Sequence, residues 1–75
     1  MLAYILISVE KGTEHDIFEE IQSMDECLGI NVIFGEWDLI TKVKIENAEA
    51  LGTFILDKIR PLSGVSLTSA LIVAK

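Results

Sequence analysis

The run Leu2-Ala3-Tyr4-Ile5-Leu6-Ile7-Ser8-Val9 opens the chain and is apolar on both of its faces. In an extended backbone Ala3, Ile5, Ile7 and Val9 project to one side, and Leu2, Tyr4 and Leu6 to the other. A strand with one face in water alternates apolar and polar residues. This one does not, so the sheet that contains it needs cover on both sides. The chain has only 75 residues, and chains of that size commonly rely on staples or partners. Cys27 is the single cysteine, which excludes an internal disulfide and suits a reducing cytoplasm. At 51% hydrophobic residues, the chain is more apolar than one small core requires, and oligomerisation is the natural outlet.

Lys11-Gly12 ends the opening strand. Thr13 followed by Asp16 resembles a capping box with the shorter acid in place of Glu, and predicts a helix start. Ile17, Ile21, Met24 and Leu28 recur at helical spacing, with Phe18 widening the stripe, and Gly29 is the expected stop. Glu14, Asp16, Glu19 and Glu20 fill the early turns, where the helix dipole favours acids. Strand two is expected over Ile30–Phe34 and strand three from about Leu39 to Glu46. Between them lies Gly35-Glu36-Trp37-Asp38, a Gly-led acidic turn that reads as a hairpin tip. Asn47 caps a second helix carrying Leu51, Phe54, Ile55, Ile59 and Leu62, which Pro61 stops. Ser63-Gly64 makes the return turn into strand four, Leu67–Ala74.

The order β-α-β-β-α-β predicts an α+β ferredoxin-like sandwich, one domain over residues 1–75. Its antiparallel four-stranded sheet would run in spatial order 4-1-3-2, with both helices on one face. No segment remains to cover the second face, so the sequence predicts a homodimer formed through the sheets, by face packing or by joined edges. Leaving such side chains wet forfeits about 1.5–3 kcal/mol each. The net charge of −6 argues against autonomous nucleic-acid binding, which depends on neutralising phosphates with Lys and Arg. No apolar stretch approaches the ~20 residues of a membrane span. Met1–Glu10 has no basic leader or small-residue cleavage site, so a cytoplasmic location is expected.

Residues that carry chemistry are few. His15, the only histidine, stands off the apolar stripe of helix one without a partner, which reads as a surface residue. Cys27 is expected near the end of the same helix as a buried or half-buried thiol. Metal-ligand spacings, nucleophile motifs and phosphate-binding glycine patterns are missing, so no cofactor and no catalytic residue is assigned. The hairpin turn has two readings. As a turn alone, Gly35 supplies positive φ, Glu36 and Asp38 are ordinary turn formers, and Trp37 packs on a neighbour. As a binding site, Glu36 or Asp38 accepts hydrogen bonds from an ammonium, backbone N–H groups donate to a carboxylate, and Trp37 walls an apolar pocket. Thr68 and Ser69 at the start of strand four are further candidate polar contacts.

Taken together, Ala3–Val9, Gly35-Glu36-Trp37-Asp38-Leu39, Leu51–Ile59 and Pro61-Leu62-Ser63-Gly64-Val65 leading to Thr68 resemble one family in order and spacing. It is the effector-binding half of the Lrp/AsnC regulators, the module called RAM, and the resemblance covers essentially the whole chain. It implies sheet-mediated dimers that assemble into rings, often octamers, with amino acids or related effectors bound between dimers. Carried over, the site falls on Gly35, Glu36, Trp37, Asp38 and Thr68. Many relatives have a second hydroxyl two residues after the Thr, where this chain has Ala70. Full-length members begin with a helix-turn-helix domain, to which nothing here corresponds, so the chain looks like a stand-alone RAM module.

The expected function is therefore a non-enzymatic, amino-acid-responsive module whose assembly is linked to effector binding, with full-length paralogues as further partners. The alternatives are a purely structural oligomerisation module without a ligand, and a small dimeric α+β enzyme.

Overall fold

A computed structural model describes residues 1–75. Its centre is the opening strand, β1 (Leu2–Val9), flanked by antiparallel neighbours on both sides. On one side lies β3 (Leu39–Lys44), followed outward by β2 (Cys27–Val32). On the other lies β4 (Val65–Ile72). The order β2-β3-β1-β4 is the predicted 4-1-3-2 sheet read from its other edge. Helices α1 (Glu14–Gln22) and α2 (Ala48–Phe54) complete the βαββαβ order, and α2 continues as one π-helical turn, Ile55–Ile59. None of these helices is long and apolar enough to cross a membrane.

Period-two alternation builds the core. Ala3, Ile5, Ile7 and Val9 of β1 and Leu39 and Val43 of β3 are buried beneath Ile17 and Ile21 of α1 and Leu51, Phe54 and Ile59 of the second helical segment. Thr41 is the single buried polar residue, and its hydroxyl donates to Gly29 O at 2.9 Å. The opposite face carries Leu2, Tyr4 and Leu6, each half-buried, beside Leu67, Ser69 and Leu71 of β4 and Ile40 of β3. Leu67 and Leu71 are 64% and 54% exposed, so the apolar second face expected from β1 is present and open.

Six boundaries differ from the sequence-based expectation. Helix α1 stops at Gln22, well before Gly29, because Met24 N–H donates to Ile21 O, an i→i−3 bond that tightens the last turn, and Ser23 Oγ donates back to Glu20 O at 2.8 Å. Strand β2 consequently starts at Cys27, not Ile30, with an irregularity between Cys27 and Gly29. Leu28 is therefore an exposed strand residue rather than part of a helix stripe. Ile33 and Phe34 fall in the hairpin loop, β3 ends at Lys44, and β4 begins two residues earlier than expected and ends at Ile72.

The two helix starts also differ from each other. Asn47 caps α2 as expected, its Oδ1 accepting from Ala50 N at 2.8 Å. Thr13 makes no such bond to α1, so the capping box does not form. Its hydroxyl donates instead to Glu10 O at 2.6 Å, and its side chain fills the space beside Gly64, where an added Cβ would sit 2.6 Å from Thr13 Oγ1. Gly64 has φ +101, a second reason for glycine there. Together with Glu10 N–H donating to Gly64 O at 2.7 Å, this packing fastens the β1–α1 turn to the start of β4.

Candidate functional site

The hairpin between β2 and β3 leaves the sheet at the end where β1 finishes. Ile33 N–H donates to Asp38 O at 2.9 Å and closes the loop. Gly35 has φ +138, a conformation that side chains rarely adopt, although space around it is open. Asp38 is the most connected residue of the turn. Its N–H donates to Ile7 O at 3.0 Å, and its Oδ2 accepts from Val9 N–H at 2.9 Å. Trp37 is half-buried, whereas Glu36 projects into solvent and Phe34 is fully exposed at the tip.

The remaining two candidates sit apart from the turn and from each other. Thr68 pairs with Ile7 and so shares the helix-covered face, while Ser69 pairs with Leu6 and faces the open side. Leu39 flanks Ile7 from the opposite edge, which puts Thr68 about two strand spacings, ~9–10 Å, from the strand that follows the turn. Neither hydroxyl forms a hydrogen bond with the hairpin. The structure therefore gathers Gly35, Glu36, Trp37 and Asp38 at one end of the sheet, and it separates Thr68 from Ser69.

The largest concavity, about 640 Å³, lies elsewhere, between α2 and the end of β3. Glu26, Lys44, Glu46, Glu49, Asp57 and Lys58 line it, so its charges are mixed. Glu26 Oε2 accepts from Lys58 Nζ at 3.1 Å, and Oε1 is shielded from solvent without an aligned hydrogen bond. Its own backbone amide, first, and Lys58, second, hold the Glu26 carboxyl below the usual range. Sequence reading did not single out Glu26, because its partner lies 32 residues away. His15 is on the surface beside Glu19, at 3.0 Å. Cys27 is a half-buried strand residue, not a helical one, with its Sγ 3.4 Å from Thr41 Oγ1. No group of three or more His, Cys, Asp or Glu is placed to hold a metal ion.

The molecule is thus a βαββαβ sandwich with one open sheet face and a Gly-acid-aromatic-Asp hairpin held against β1. The chain belongs to the Lrp/AsnC family, whose ligand-binding-domain model matches residues 2–75. The HTH-type transcriptional regulator FL11 of Pyrococcus abyssi is 33% identical over 75 residues, covering 100% of this chain and 49% of the relative. The chain thus spans about half the length of the curated relatives it matches. The crystal structure of FFRP-DM1 superposes with a TM-score of 0.90 at 35% identity, covering 96% of each chain. The regulator NMB0573 of Neisseria meningitidis, solved in complex with L-Met, has the same fold at 24% identity, with a TM-score of 0.89 over 99% of this chain and 49% of that one.

Proposed function

We propose that this chain is an effector-responsive assembly module, and not an enzyme: it dimerises through its open sheet face, and the dimers join into a larger ring around small-molecule sites. The observation that carries the reading is the pairing of an apolar, uncovered sheet face with a polar hairpin already fixed to the central strand. In this reading the effector is an amino acid. Glu36, the free carboxylate of the turn, accepts from its ammonium, exposed backbone N–H groups around Gly35 meet its carboxylate, and Trp37 walls its side chain. Asp38 belongs to the same hairpin. Thr68 and Ser69 are offered by a neighbouring chain, because one chain does not bring them to its own turn.

A ligand that bridges two dimers stabilises the assembly that creates its site, so binding and ring formation are linked. With a net charge of −6 the module does not grip DNA by itself, and influence on transcription runs through the subunits with which it assembles, full-length relatives included. The test is absolute mass by light scattering on a sizing column, with and without a pool of the twenty amino acids. L-methionine is run separately as well, since the Neisseria relative binds it. A dimer or larger ring whose mass shifts with the pool is the expected result. A monomer in every run refutes assembly through the open face, and a ring indifferent to every amino acid refutes the sensing role.

A further inference from the structure

We propose that Asp38 is a positioning residue: its carboxylate stands in for a strand that is no longer there, and so fixes the hairpin against β1. The inference rests on the reading of the hairpin as the effector-recognising element, and it separates Asp38 from the residues that touch the ligand. Along β1 the backbone groups of alternate residues point towards β3. Ile7 C=O points that way and receives Asp38 N–H. Val9 N–H, two residues on, points the same way, but strand pairing between β1 and β3 ends at Ile7 and Leu39. Beyond Leu39 the chain has turned into the hairpin, and a buried strand residue would be left with an unpaired donor. Asp38 Oδ2 fills that place at 2.9 Å, extending the ladder by one side-chain rung.

Three bonds then meet at this one residue: Asp38 N to Ile7 O, Val9 N to Asp38 Oδ2, and Ile33 N to Asp38 O. The first two tie the turn to β1 and the third closes it. Gly35, with its positive φ, is therefore aimed by a clamp at the base of the loop, not by contacts at its tip. The clamp also sets what lies next to the turn. Val9 leads into Glu10, whose N–H is bonded to Gly64 O at the start of the strand that carries Thr68.

An ammonium partner needs the charge of Asp38, whereas Val9 N–H needs only a side-chain oxygen in the same position. Asp38→Asn keeps the oxygen and removes the charge, and Asp38→Ala removes both. The experiment is amide hydrogen exchange by NMR on the full chain, with light-scattering mass in the presence of the twenty-amino-acid pool as the second readout. For Asp38→Asn the expected result is Val9 exchange within about threefold of the parent and an unchanged response to the pool. For Asp38→Ala, Val9 and Ile33 exchange tenfold or more faster and the Gly35 and Trp37 resonances shift, while Ile30 and Val43 amides in the sheet stay protected. Should Asp38→Ala fail to fold, Asp38→Ser, one bond too short to reach Val9, replaces it with the same expectation. Unchanged Val9 exchange in the Ala or Ser variant overturns the proposal. So does an Asn variant that keeps Val9 protected but loses the pool response, since that makes Asp38 a charge partner of the ligand. If the parent itself ignores the pool, the effector reading fails, while the exchange data still decide the role of Asp38.

Discussion

The two faces of the sheet are made from the same strands by the same alternation, yet they end in opposite states. On one face Ile5, Ile7, Leu39 and Val43 are wholly buried, because two helices with apolar stripes lie across them. On the other, Leu6 and Tyr4 are shielded only by their neighbours in the sheet, and Leu67 and Leu71 remain more than half exposed. Side-chain chemistry does not distinguish Ile5 from Leu6. The connections do, since both helices return on the same side. Apolar alternation thus reports that a face needs cover, and chain topology decides whether the same molecule can supply it.

The sharpest break of this comparison is Ile5→Ala. Deleting a fully buried side chain from the helix-covered face should cost about 2–5 kcal/mol in chemical unfolding, whatever the assembly state. Leu6→Asp, one residue along, should behave differently. In a face-to-face dimer it buries an unpaired carboxylate, so the dimer dissociation constant read by sedimentation should rise by roughly a hundredfold, or ~3 kcal/mol. A Leu6→Asp protein that keeps its mass would show that the open face is covered by something other than a second copy. A smaller effect comes from the one buried polar residue of the covered face. Thr41→Val keeps the shape but loses the bond to Gly29 O, and should cost about 1 kcal/mol by urea denaturation. No cost would mean that this face is held by packing alone.

What was legible in the sequence follows the range of the forces involved. The alternation in β1, the Asn47 cap and the stripe Leu51, Phe54, Ile59 are local patterns, and each element stands where its pattern puts it. Leu28 continued the period of Ile17, Ile21 and Met24, yet it belongs to β2, because Cys27 pairs with Val43 across the sheet and the helix has already closed on itself. Thr13 looked like a cap, but its hydroxyl serves the β1–α1 turn and its side chain packs on Gly64, some fifty residues away along the chain. The hairpin residues were legible as a group. Which of them is free was not: Asp38 is committed to a donor 29 residues upstream, whereas Glu36, chemically almost its equal, is exposed.

The smallest expected effect lies at the rim of the covered face, where Glu26 meets Lys58. Glu26 is a carboxyl whose pKa is lowered on folding from an ordinary value of 4.5, chiefly by its own backbone amide and then by Lys58. A group shifted downwards contributes stability that is fully present above its unfolded pKa and is lost as the pH falls through the folded one. The contribution is therefore complete at neutral pH and disappears on acidification below about 4.5. Lys58 is 52% exposed, so solvent and salt screen the pair and its worth is about 0.2–1 kcal/mol at most. Lys58→Met should remove the second cause and leave the first, so the variant's stability would fall slightly at pH 7 while its acid limb flattens only in part. Glu26→Gln removes both causes and should flatten that limb further. Equal flattening in the two variants would show that Lys58, not the backbone amide, dominates at this end of the sheet. That outcome would make the rim an electrostatic feature sensitive to salt, unlike the apolar face beside it.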